Sequence, residues 1–167
     1  VCGLFGVSAL YHRGSWSPAA RRWMRRLDHS MIFVFIAASY TPVALLVLHG
    51  TLATAILCVV WGGALAGAGL KLIWIDAPKW LAATLYVALG WVAIVTVPDL
   101  WDILGWLAVA AFALGGALYT AGAVVYARER PDPWPKVFGY HEIFHVLVIA
   151  AAGTHYAVIA FAVLPRG

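Results

Sequence analysis

Residues 51–74 read TLATAILCVVWGGALAGAGLKLIW, an apolar run whose one charge, Lys71, lies near its end. At 1.5 Å per residue, a helix over this run is about 36 Å long, enough to cross the roughly 30 Å hydrocarbon core of a bilayer. An open strand edge has no backbone partners in hydrocarbon, so a run of this kind must be helical. Within it, Gly62-Gly63-Ala64-Leu65-Ala66-Gly67-Ala68-Gly69 is a stretch of small residues that lets a neighbouring helix come close.

Outward from this run the pattern repeats. The spacing predicts a span over about Asp28–Leu48 before it, and spans over Pro78–Val97, Leu100–Ala127 and Val137–Leu164 after it. The connections are short: His49-Gly50, Ile75 to Ala77, Pro98-Asp99, and Arg128 to Lys136. Short loops make successive spans antiparallel neighbours, so the expected fold is an all-α polytopic transmembrane bundle. Val1–Tyr11 is also apolar but covers about half a bilayer. It is read as the tail of a helix that begins outside this sequence, in a single transmembrane domain over 1–167 whose first helix and a half are missing.

Composition agrees. Hydrophobic residues make up 64% of the 167 positions and charged residues 11%, against about 45–50% and about 25% in soluble domains. The net charge of +4 comes with arginines gathered in one loop, which argues against a nucleic-acid footprint and for membrane topology and anionic headgroups. Nine Trp and seven Tyr fit membrane–water interfaces. Cys2 and Cys58 sit in apolar runs without CxxC spacing, so they define neither a disulfide framework nor a redox compartment.

The basic residues fall on one side. Arg13, Arg21, Arg22, Arg25 and Arg26 precede the first full span; Lys71 and Lys79 come two crossings later, and Arg128, Arg130 and Lys136 two after that. The opposite side has only Arg166. The positive-inside rule then makes the arginine loop cytoplasmic and the C-terminus external. Ser17-Pro18 reads as an N-cap with proline at the first helical position, and Ala19–Leu27 as a short basic helix lying on the inner leaflet. There Arg21, Arg22, Arg25 and Arg26 would meet anionic lipids.

Ionisable groups inside spans are costly and mark function by default. His12 ends the partial helix with Ser8 one turn earlier on the same face, Asp28 opens the next helix, and His141 and His145 open the last one four residues apart. The arginine-derived topology puts all five at one depth. Three imidazoles and a water form an open, catalytic-type zinc arrangement. Such an ion acidifies a coordinated water and polarises a carbonyl, and Asp28 suits the role of proton acceptor. The plain alternative is three interfacial or hydrogen-bonded histidines.

His141-Glu142-Ile143-Phe144-His145 also matches the H-E-x-x-H pattern of zinc proteases. An intramembrane metalloprotease built on it would leave His12 unexplained, and Glu142 points about 100° away from each histidine. His49 lies in an outer turn. His155 is about 15 Å along the helix from His145, and both are read as satisfied or solvated. His29 is read as structural, pointing away from Asp28. Pro42 removes a donor to the Ala38 carbonyl and is expected to kink its helix.

Ser8-Ala9-Leu10-Tyr11-His12, Asp28-His29-Ser30 followed by Ser39-Tyr40-Thr41-Pro42, and His141-x-x-x-His145 together resemble the hemolysin III family. That is the bacterial branch of the progestin and adiponectin receptor superfamily, and the resemblance covers essentially the whole chain. It implies a seven-helix bundle in the cell membrane with an internal N-terminus and an external C-terminus. It also implies zinc held by the counterparts of His12, His141 and His145, with Asp28 and Ser8 acting around the zinc-bound water. The family and its alkaline-ceramidase relatives suggest hydrolysis of an amide in a lipid.

Two functional classes follow. One is a zinc-dependent membrane hydrolase acting on an amide or ester of a membrane lipid. The other is a pore-forming (cytolytic) or membrane-homeostasis protein with a structural zinc, as the word hemolysin implies. A structural zinc is closed by four protein ligands, whereas a catalytic one keeps a water. A pore would also want a continuous polar stripe, which the middles of these spans lack.

Overall fold

The computed structural model describes residues 1–134 and 137–166; Lys136, counted above among the basic residues, lies outside them. The described chain is helical apart from turns and one isolated bridge between Trp134 and Phe138. Its helices are α1 (Cys2–Arg13), α2 (Pro18–Leu46), α3 (Gly50–Ile73), α4 (Lys79–Gly90), α5 (Val97–Leu104), α6 (Trp106–Arg128) and α7 (Tyr140–Val158). A 3-10 segment, Trp91–Thr96, joins α4 to α5, and a π turn, Ile159–Val163, prolongs α7. Five helical stretches are long and apolar enough to span a bilayer: Pro18–Leu46, Gly50–Ile73, Lys79–Leu104, Trp106–Arg128 and Tyr140–Arg166. The chain is a multi-pass helical membrane protein.

Two expectations are corrected. Ala19–Leu27 is no separate surface helix but the opening of α2, which runs unbroken through 29 residues. The Ser17 hydroxyl does cap it, accepting the Ala20 N–H at 3.3 Å, and Pro18 occupies the first turn. No glycine or proline follows until Pro42, so nothing stops propagation before the helix enters the apolar segment. The other correction concerns the turn placed at Pro98-Asp99. The third span continues to Leu104, and the reversal falls at Gly105, whose φ of +84° glycine adopts without strain. Pro98 lies in the first turn of α5, where a missing N–H costs nothing, and Asp99 adds favourable charge at that N-terminus. The last helix begins at Tyr140, three residues later than expected.

Packing turns the usual arrangement of a soluble protein outward. Phe33, Ala37, Ala44, Val47, Val60 and Ala64 are sealed in the core, while Leu65, Ile73 and Phe161 lie on the outer surface. Lipid tails cover such side chains at no cost. The glycine-rich stretch of α3 has two faces. A Cβ on Gly67 would sit 2.3 Å from the Phe33 ring and one on Gly63 2.7 Å from Leu89, whereas Gly62 and Gly69 meet nothing within 4 Å. Close approach therefore explains two of the glycines, four residues apart on one face.

Polar links gather at one end of the bundle. Arg25 of α2 pairs with Asp76 between α3 and α4 at 3.1 Å, and Lys79 of α4 pairs with Glu129 after α6 at 3.0 Å. Lys79 also donates to the Tyr140 hydroxyl at 2.9 Å, reaching the start of α7. The start of α2, the α3–α4 turn, the end of α6 and the start of α7 thus share the basic end.

Candidate metal centre and the cavity beside it

The start of α7 is fixed by side chains around it. Glu142 accepts the Gly139 N–H at 2.9 Å and Asp132 accepts the Tyr140 N–H at 3.1 Å, satisfying donors that an uncapped helix would leave bare. His141 follows one residue later and His145 one turn on, so both rings leave the same face. At the end of α1, the Leu10 carbonyl accepts from the Gly14 N–H at 2.9 Å and from the Trp16 indole at 3.1 Å, closing the helix just beyond His12.

The three rings converge. Nε2 of His141 lies 3.4 Å from Nε2 of His12 and 3.1 Å from Nε2 of His145. One ligand nitrogen from each ring lies within 4.8 Å of the other two. A tetrahedral ion at about 2.0–2.1 Å from each imidazole nitrogen holds its donors about 3.4 Å apart, so the donor set fits a metal ion. Among the described residues no carboxylate or cysteine joins the three at that distance. The group thus offers three donors and leaves a fourth position open.

Inside the cluster lies a cavity of about 240 Å³, lined mostly by apolar side chains such as Ile32, Phe35, Ile36 and Val148. Asp28, Ser8, His141 and His145 line its basic end, and it reaches Thr96 and Leu100 at the other. An outer hollow is lined by Ser8, His12, His141, Glu142 and His145. Ser8, His141 and His145 border both spaces, so the cluster stands where they meet. The predicted residues Ser8, His12, Asp28, His141 and His145 are therefore brought together. Asp28 is buried at 9% exposure and stands outside the histidine triangle. Glu142 uses one carboxylate oxygen to cap its own helix and borders the outer hollow beside the three histidines.

His29 departs from its expected role as a residue pointing elsewhere. Its Nδ1 lies 3.6 Å from Asp28 Oδ2 and donates to the Arg25 carbonyl at 2.8 Å. In a neutral ring Nε2 is then bare and accepts the Tyr126 hydroxyl at 3.2 Å. Tyr86 donates to the His29 carbonyl at 3.1 Å. These contacts brace the stretch of α2 that carries Asp28 from α4 and α6.

The tyrosines are the residues that sequence reasoning missed. All tryptophans but Trp61 are exposed, as interfacial belts require. Tyr40, Tyr86, Tyr119 and Tyr126, however, line the cavity. The one available signal was that Tyr119 and Tyr126 lie two turns apart on one face of α6. Tyr40 accepts the Ala93 N–H at 2.9 Å and shares its one hydroxyl hydrogen between the carbonyls of Leu89 and Gly90, tying the end of α4 to the 3-10 segment. His49 is exposed at the start of α3, as expected, and Nε2 of His155 donates to the Phe112 carbonyl at 3.0 Å.

Comparison with known proteins places these features in a lineage. A family model described as "Haemolysin-III related" matches residues 1–156. The chain is 33% identical over 135 residues to a Hemolysin-3 homolog of Bacillus subtilis, covering 81% of this chain and 61% of that protein. It is 29% identical over 162 residues to Hemolysin-3 of Bacillus cereus, covering 97% and 71%. The human Monocyte to macrophage differentiation factor is 28% identical over 163 residues, covering 95% and 65%. A shorter match, 48% identical over 58 residues, joins 32% of the chain to 12% of an Adiponectin receptor protein of Drosophila melanogaster. The chain spans between about three fifths and seven tenths of the length of these full-chain relatives. No solved structure matches it significantly.

Proposed function

Because this chain belongs to the haemolysin III family, related to the adiponectin receptor proteins, we propose that it is a zinc-dependent hydrolase of a membrane-lipid amide or ester. His12, His141 and His145 hold the ion. The observation that carries this reading is the convergence of three imidazole nitrogens, with a fourth position open, at the mouth of an apolar cavity that also holds a buried carboxylate. Zinc is preferred because three neutral imidazoles are a common zinc donor set and a structural site would be closed by a fourth protein ligand.

When bound, the metal supplies Lewis acidity towards the scissile carbonyl and an acidified water. The chain does the rest. The cavity takes the lipid chain and keeps bulk water from it. Asp28 takes a proton at its carboxylate as the water oxygen bonds to the carbonyl carbon, and returns it to the leaving nitrogen or oxygen as that bond breaks. Ser8, between the two spaces, offers a hydroxyl to the carbonyl oxygen. The basic end faces the cytoplasm and the C-terminus the outside of the cell membrane. Arg21, Arg22, Arg25 and Arg26 meet anionic lipid there.

The name Hemolysin-3 borne by the Bacillus cereus relative keeps a cytolytic reading in view, but the cavity lining is chiefly apolar rather than a polar stripe through the bundle. The test is to purify the protein with zinc and measure release of fatty acid from ceramide-type amides and phospholipid esters in mixed micelles. Metal-dependent release supports the hydrolase. Stoichiometric zinc without release from either class, together with dye leakage from vesicles, would replace it with the cytolytic reading.

A further inference from the structure

On the α6–α7 side of the cavity, Tyr119 offers a hydroxyl and His155 an imidazole to the same space. The Tyr119 hydroxyl is buried and has no hydrogen-bond partner among the described residues. The His155 ring meets the Tyr119 ring edge-on with centroids 5.5 Å apart, and both residues line the cavity. Nε2 of His155 lies 3.0 Å from the Phe112 carbonyl. A carbonyl only accepts, so Nε2 carries the hydrogen and Nδ1 of the neutral ring is a bare acceptor. The ring has a made seat: a Cβ on Gly115 would lie 2.2 Å from His155 Cδ2, so position 115 must be glycine for the imidazole to sit there.

Packing alone does not account for this pair. Phenylalanine fills the Tyr119 site equally well and leaves no bare hydroxyl in a region without bulk water, where unsatisfied polar groups are rare and mark function. A donor and an acceptor on two neighbouring rings, 5.5 Å apart between centroids, suit one common group, an alcohol, which accepts and donates at a single oxygen.

We propose that Tyr119 and His155 form a polar station for a hydroxyl carried partway along a lipid chain whose head lies at the histidine cluster. The Tyr119 O–H donates to the alcohol oxygen, and the alcohol hydrogen points to Nδ1 of His155. The ten residues from His145 to His155 rise about 15 Å along α7, roughly a dozen carbons of an extended chain. The station therefore selects a mid-chain hydroxylated acyl group and ignores a hydroxyl near the head. The inference rests on the reading that the cavity takes a lipid chain.

The experiment is calorimetric titration of the purified protein with octadecanoate, 2-hydroxyoctadecanoate and 12-hydroxyoctadecanoate, with no turnover required. The expected result is about tenfold tighter binding of the 12-hydroxy acid than of the other two, the scale of one well-made hydrogen-bonded contact. Tyr119→Phe should erase that preference and leave octadecanoate affinity unchanged. Equal binding of all three acids by the unmodified protein overturns the station while leaving the lipid cavity intact, as would a preference that survives in Tyr119→Phe. Binding of none of the acids overturns the station and the lipid cavity together.

Discussion

Asp28 lies eleven positions into α2, buried at the cavity wall beside His141 and His145 yet outside the triangle of imidazole nitrogens. This placement separates two roles that a carboxylate near a metal can play. A ligand carboxylate holds the ion, while one set back from it holds or moves a proton. Asp28→Asn keeps shape and hydrogen bonding but cannot take a proton. It is expected to retain zinc and thermal stability and to lower lipid hydrolysis by about a hundredfold or more, the scale of general acid–base catalysis. Zinc content, unfolding temperature and hydrolysis measured side by side decide the matter; joint loss of zinc and stability would make Asp28 a structural ligand. The histidines should behave in the opposite way. His12→Ala, His141→Ala and His145→Ala each remove one of three donors, so each should lose most of the bound zinc on metal analysis. Stoichiometric zinc in all three variants would end the assignment.

Among the elements, α2 and α3 show what makes a small residue necessary. The Phe33 ring lies where a Cβ on Gly67 would be, 2.3 Å away, in the most buried part of the core. Gly67→Ala must push Phe33 off its rotamer or part the helices, at a cost of about 1–3 kcal/mol. Gly69→Ala meets open space and should be neutral or slightly stabilising through helix propensity. Thermal unfolding of the two variants in the same detergent checks the contrast; equal effects would mean that α3 does not pack on Phe33. The sequence foretold that some of these glycines pack, but not which, because facing direction depends on the partner helix. The same limit explains the displaced third turn. Pro98-Asp99 looks like a loop locally, yet proline and aspartate are also good first-turn residues. Only the positive φ at Gly105 tells a helix restart from a reversal. The N-cap at Ser17 and the i, i+4 histidines were legible because their chemistry is local. The cavity tyrosines were not, since tyrosine suits a membrane interface and a buried hydrogen bond equally well.

At the scale of the molecule, the arrangement of charge decides which way the bundle faces. Arg25 with Asp76 and Lys79 with Glu129 tie the start of α2, the α3–α4 turn, the start of α4 and the end of α6 into one basic end, and the histidine cluster lies on it. The opposite end carries Asp99 and Asp102, and Arg166 at the end of the last span. Short loops rich in lysine and arginine stay in the cytoplasm, so the metal centre should open inwards and Arg166 should lie outside. Cysteine labelling in intact cells tests this with the protein in its own membrane. Cys2 and Cys58 are exposed and are first replaced by serine; single cysteines are then introduced as Arg22→Cys and Arg166→Cys. A membrane-impermeant maleimide should label position 166 in intact cells and position 22 only after the membrane is permeabilised. Neither residue lines the cavity or the outer hollow, so metal content should be unchanged and the labelling reports orientation. The reverse pattern would put the histidine cluster outside, where its zinc would come from the medium and the basic end would meet the outer leaflet.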